Sequence, residues 1–258
     1  YFFIFKIIII HIFKNTYFYP MSINSKNQQD YWSVSLTLTI SFIIFLLFSL
    51  VQTIILFLFI PEGQSNIEAQ STAYIHLGSI ASISSFIGVL LLCLFVKIKN
   101  NSIKNYLDIS LPHIKDFIFF LTLSLCLMFL IEKISNLYPH LFENNFVFDS
   151  YSQANSLPVF YLGVVFLGPI FEEFLFRGFL FKGLEKSFLG GHGAVFISAI
   201  LFAIIHIQYG FFIILFMLFP FALLLGYAKL KSGTILLPIC IHMLNNFITC
   251  LITHWEIY

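Results

Sequence analysis

Glu172 and Glu173 stand side by side in Pro169-Ile-Phe-Glu-Glu-Phe-Leu-Phe-Arg-Gly178, inside a long apolar stretch of a 258-residue chain. An ionisable group at the centre of a membrane-spanning helix costs about 2.5–3.5 kcal/mol on insertion scales, so it needs a partner or a function. Arg177 is the only arginine in the chain, against twelve lysines. On a helix, positions i and i+4 share a face, and a guanidinium offers a planar fork to a carboxylate. Arg177 is therefore expected to hold Glu173. Glu172 is rotated by about 100° from its neighbour and cannot easily share that partner. A desolvated carboxylate without a cation is suited to taking up and returning a proton.

Two further apolar stretches carry polar groups. His206 ends Phe202-Ala-Ile-Ile-His206, and His242 opens His242-Met-Leu-Asn-Asn246, where His242 and Asn246 share a helical face. Counted at about 1.5 Å per residue from the span ends near Lys182, Ala194 and Gly233, Glu172 lies about 15 Å deep, His206 about 18 Å, His242 about 14 Å and Asn246 about 20 Å. One intramembrane His or Asn is ordinarily an interhelical hydrogen bond, and one Glu–Arg pair a structural clip. Several at one level, with a glutamate left over, read as a site. Beyond residue 20, the remaining histidines, His76, His113, His140, His192 and His254, fall near loops or span ends and read as interfacial.

The elements that position these groups follow from composition. Hydrophobic residues make up 59% of the chain, aromatics 19% and charged residues 10%, with 35 Phe and a net charge of +1. Average usage is nearer about 25% charged, so a water-facing surface cannot be built, and nucleic-acid binding lacks its basic excess. The fold class is all-α: a polytopic transmembrane helical bundle. With about 20 residues needed per span, seven stretches qualify: 33–60, 74–98, 117–137, 157–181, 194–207, 211–230 and 235–252. The fifth is short. Residues 1–20 add an eighth apolar segment if they belong to the working protein; Met21 reads as an alternative start. The organisation expected is an N-terminal segment (1–32), N-terminal transmembrane helices (33–156) and a catalytic transmembrane core (157–258).

From Met21 onward, ten of eleven Lys and Arg residues fall at alternate span ends on one side, and only Lys133 breaks the pattern. The positive-inside rule then puts Met21 in the cytoplasm. Cys93, Cys126, Cys240 and Cys250 lie within apolar spans without CxxC spacing and are expected to be buried thiols.

Glu172-Glu173-xxx-Arg177, Phe202-xxx-His206 and His242-xxx-Asn246 together resemble the three ordered motifs of the CAAX prenyl protease and bacteriocin-processing (CPBP, or Abi) family. The resemblance covers about residues 157–250, and the N-terminal half shares only hydrophobicity. It implies an intramembrane endopeptidase. Glu172, helped by His206, would activate the hydrolytic water, and His242 and Asn246 would stabilise the oxyanion. Glu173 belongs to the same catalytic motif, with Arg177 and Phe202 as structural support. The family is commonly labelled a metalloprotease, and His₂Glu can bind zinc with an open water position. No HExxH is present, and a metal-independent mechanism is favoured with zinc left open.

The partners implied are membrane lipid and a peptide or protein substrate, either lipidated or a bacteriocin precursor. The Ile, Phe, Lys and Asn bias suggests an AT-rich genome and a bacterial cytoplasmic membrane. The competing reading is a non-catalytic immunity or binding protein that uses the same polar cluster structurally. A proton-coupled transporter would show two matched halves, and no such symmetry is visible.

Overall fold

The computed structural model describes residues 32–99 and 102–257. The segment 1–31, including the apolar run at 1–20, lies outside the described residues. Within the described residues nine helical elements follow one another: α1 (Val34–Phe59), α2 (Asn66–Ile98), α3 (Ile103–Tyr106), α4 (Ile114–Leu137), α5 (Phe146–Ser152), α6 (Leu157–Glu185), α7 (Gly190–Ile204), α8 (Phe211–Ser232) and α9 (Leu236–Ile257). No strand occurs among the described residues. Six of these helices are long and apolar enough to cross a membrane, and α7 is a shorter apolar one. The chain is a multi-pass, all-α membrane protein.

The fifth expected span differs most from its sequence reading. Its α-helix covers fifteen residues and stops at Ile204 rather than Ile207. That is about 22 Å of helix, short of the roughly 30 Å hydrocarbon core. The chain turns through His206 into a 3₁₀ turn at Ile207–Tyr209 and resumes at Phe211 after Gly210. Gly210 sits at φ +88°, ψ 159°, a region essentially closed to other residues, so the break is written into the sequence there.

Caps and tight turns fix where the spans begin and end. Ser65 and Glu68 form a reciprocal capping box at the start of α2, where the Ser65 N–H donates to Glu68 Oε2 at 2.7 Å. Gly233, in the left-handed region at φ +68°, closes α8 and lets α9 fold back directly against it. Phe120 of α4, Leu224 and Leu225 of α8, and Leu237 and Ile241 of α9 form the core of that packing.

The glutamate-bearing α6 is the most enclosed of the long helices, while α1 and α4 are the most peripheral. α6 is drawn against α2 by two glycines. A Cβ on Gly78 would lie 2.6 Å from the Phe160 backbone, and one on Gly163 would lie 2.4 Å from the Gly78 carbonyl oxygen. Small residues of this kind allow backbones to touch where lipid supplies no hydrophobic drive for association.

The cysteine expectation is corrected. Only Cys250 is buried; Cys93 is half-buried, and Cys126 and Cys240 are exposed on the outside of the bundle. A thiol is apolar enough to face lipid, so its presence in a span says nothing about which face it takes.

Candidate active site

The helix that carries the glutamates is locally irregular. Regular α-helix at Gly168–Glu173 is flanked by π-helical turns at Tyr161–Leu167 and Phe174–Leu180, a distortion frequent at functional sites. Pro169 helps explain the first. The Gly168 N–H donates back to the Gly163 carbonyl, so the next donor in register for Val164 would be residue 169, which is proline and has no N–H. The orphaned Val164 carbonyl accepts instead from Asn246 Nδ2 at 3.0 Å. Asn246 thus ties α9 to the kink in α6. Its Oδ1 accepts from Asn245 Nδ2 at 3.4 Å.

The second π turn contains Arg177, and the i, i+4 contact survives there. Arg177 Nη1 donates to Glu173 Oε1 at 2.9 Å, both side chains being fully buried. Arg177 Nη2 donates to the Ala222 carbonyl of α8 at 3.0 Å, and the guanidinium lies 4.5 Å from the Phe202 ring centroid. Glu173 has a further partner that the sequence did not announce. His242 Nδ1 lies 2.9 Å from the same Oε1. Contacts between helices 69 residues apart leave no spacing signal, so this one was invisible beforehand.

That contact fixes a tautomer. Glu173, paired with a guanidinium, accepts, so His242 Nδ1 carries the proton and Nε2 faces away from it. The ring is gripped edge-on by Phe202 and Phe221, each 5.7 Å from its centroid. His206 is fixed by similar logic and a different partner. It lies just beyond the end of α7, where its N–H bonds Ala203 and leaves the Phe202 carbonyl open. His206 Nδ1 lies 2.8 Å from that carbonyl, which can only accept, so Nδ1 is again the protonated nitrogen.

Both Nε2 atoms turn towards Glu172. Oε2 of Glu172 lies 3.8 Å from His242 Nε2 and 4.0 Å from His206 Nε2. The atom is shielded and takes no hydrogen bond from any described group. Glu172 and His206 keep 22% and 16% of their side chains exposed, whereas Glu173 keeps none. One glutamate therefore faces an opening, and its neighbour is sealed behind it. The structure brings Glu172, Glu173, His206 and His242 together, with Arg177 and Phe202 packed behind them. Asn246 is placed one helical turn beyond His242, with part of its amide committed to Val164.

Whether this set fits a metal can be tested by distance. A tetrahedral zinc ion with bonds of about 2.1 Å holds its ligand atoms about 3.4 Å apart. The two separations here are wider, and among the described residues no group of three His, Cys, Asp or Glu side chains is disposed to hold a metal ion. The arrangement as it stands does not fit a tetrahedral zinc centre.

Residues 154–248 match the family model described as Type II CAAX prenyl endopeptidase Rce1-like. The C-terminal part of the chain is thus similar to the CAAX-protease type of domain that its three motifs resemble. All three polar motifs fall within the matched residues, and everything from α1 to α5 lies outside them. No curated protein and no solved structure matches the chain. The family supports a membrane endopeptidase of the CAAX-protease kind.

Proposed function

We propose that the chain is a membrane-embedded endopeptidase in which Glu172 and His206 activate a water for attack on a peptide carbonyl. The observation that carries the reading is the Glu172 carboxylate, shielded and without a hydrogen-bond donor, facing two imidazole Nε2 atoms at 3.8 and 4.0 Å. Those gaps are wide enough for one water to sit among the three groups.

The steps balance without a metal. Glu172, aided by the His206 Nε2 lone pair, takes one proton from the water as its oxygen bonds the carbonyl carbon. The oxyanion that forms is stabilised by His242 and Asn246. His242, held by Glu173 at Nδ1, points Nε2 at the oxyanion and donates from it when that nitrogen carries a proton. Asn246 donates its second amide N–H, the first being engaged by Val164. When the C–N bond breaks, the proton held by Glu172 passes to the leaving amine. Glu173 and Arg177 act as positioning residues, since neither reaches the opening.

The substrate is a peptide or protein segment presented at the membrane, either a lipidated tail or a bacteriocin precursor. The bilayer in question is a bacterial cytoplasmic membrane, with Met21 inside if the protein starts there. The test is Glu172→Gln, which keeps shape and removes the base. Reconstituted in vesicles with a farnesylated peptide and a bacteriocin precursor as substrates, the variant should lose cleavage about 10³-fold. Full activity in a folded Glu172→Gln protein would turn the reading towards a non-catalytic immunity or binding protein. Activity should also survive exhaustive chelation; loss on chelation with recovery on zinc would overturn the metal-free steps.

A further inference from the structure

His206 is the one member of the cluster that no long helix carries. α7 ends at Ile204, and the chain stays irregular until Phe211, with Gly210 free to hinge. From α7, the Nδ1 contact to the Phe202 carbonyl and the Phe202 ring, its centroid 4.7 Å from that of the imidazole, hold the ring from one side. A catalytic imidazole must be held to within a fraction of an ångström, so something else has to fix this turn.

The structure shows what does. Five residues from a distant part of the chain, 142–146, grip the turn at two points and the first turns of α8 at a third. The Asn144 Nδ2 amide donates to the Gln208 carbonyl at 3.1 Å. Phe146 meets the Tyr209 ring edge-on with centroids 5.3 Å apart, and Phe142 meets Phe216 edge-on at 6.4 Å. Tyr209 in turn lies nearly parallel to the His206 ring, 6.0 Å away and inclined by 25°. The gripping segment is itself anchored on two sides. Phe146 packs on Tyr74 of α2, and Tyr151 of α5 reaches His254 of α9 at 3.3 Å.

We propose that residues 142–146 form a strap that positions His206, with Tyr209 as the positioning residue through which it acts. Tyr209 forms a wall behind the imidazole, and Phe146 keeps that wall from rotating. Burial, together with the nearby Glu172 charge, holds the phenol's proton well above the ordinary tyrosine range. Tyr209 therefore stays neutral beside the base and adds no competing acid. The strap lies outside the residues matched by the family model, so the motifs do not account for it.

The inference rests on the endopeptidase reading for its consequence and on geometry alone for its existence, and two readouts separate them. In protein reconstituted in nanodiscs, amide hydrogen exchange is followed over residues 205–210 for wild type, Phe146→Ala, Asn144→Ala and Tyr209→Phe. The two strap variants should speed exchange in that window at least about 10-fold with α8 and α9 unchanged, whereas Tyr209→Phe, which keeps the ring, should behave as wild type. On a peptide that wild type cleaves, Phe146→Ala and Tyr209→Leu should lower kcat about 10-fold with KM within about 2-fold. Tyr209→Phe should retain kcat. Unchanged exchange in both strap variants overturns the strap whatever the activity. Faster exchange with unchanged kcat overturns the positioning of His206. A fully active Glu172→Gln would sink the endopeptidase reading instead, and the exchange result would still decide the strap.

Discussion

Two buried clusters of charge in this protein obey opposite rules. Asp108, in the connection between α3 and α4, takes a short contact from Lys182 of α6 and one of 2.6 Å from Lys229 of α8. Every charge there faces an opposite one, and the neighbouring backbone is sewn to the α8–α9 turn by the Ile235 N–H on the Asp108 carbonyl and the Ser110 N–H on Thr234 Oγ1. The second cluster pairs Glu173 with Arg177 and His242 and leaves Glu172 over. The first holds helices together. The second uses the same kind of pairing to seal one carboxylate and leaves its partly shielded neighbour without a cation.

The contrast breaks most sharply at the unpaired group. Removing the Glu172 charge should abolish cleavage by about 10³-fold while leaving thermal stability equal or higher, since a shielded carboxylate without a donor opposes folding. Next is Arg177→Met, which leaves Glu173 in the core without its guanidinium. Removing one partner of a buried pair costs about 3–5 kcal/mol. The loss should appear in thermal unfolding in detergent, and a folded variant with wild-type stability would deny the pair its role.

At the other cluster, Asp108→Asn isolates the charge. Asp108 sits at φ +53°, a conformation Asn also tolerates, so the backbone is not penalised. The variant strands two lysines and should lose about 3 kcal/mol of stability, with KM and kcat near wild type. Burial pushes the Asp108 carboxyl up, but Lys229 and Lys182 outweigh burial and hold it below its usual value. A depressed folded pKa contributes stability above the unfolded value of about 3.9 and loses it as pH falls through the folded one. The stability gap between wild type and Asp108→Asn should therefore close below about pH 4, and a gap that stays constant to lower pH would contradict this pairing. The smallest expected effect is Asn246→Ala, which orphans the Val164 carbonyl and should cost about 1–3 kcal/mol of stability besides its loss of rate.

Much of the site was legible beforehand because charge is so scarce in this chain. A lone arginine four residues after a glutamate, both in an apolar stretch, has no nearer counter-ion to choose, and the structure closes that contact at 2.9 Å. Positions of spans were equally open to reading, since length and hydropathy decide them. Three things were not. The early end of α7 depends on Gly210 and on 3₁₀ hydrogen bonding that periodicity does not encode. The Glu173–His242 contact joins helices with no sequence relation. Residues 142–146 carry no motif, and only tertiary packing shows them gripping the turn behind His206.

Pro169 bears on how the protein is made. It deprives Val164 of a local donor, and the replacement comes from Asn246, about eighty residues later in the chain. Glu173 waits for His242 in the same way, and Arg177 for the Ala222 carbonyl. During synthesis α6 precedes α8 and α9, so its Val164 carbonyl and the outer hydrogen bonds of its Glu173–Arg177 pair wait for groups made later. The order of translation therefore puts Glu172 in its helix before His206, His242 and Asn246, the groups gathered around it, have been made.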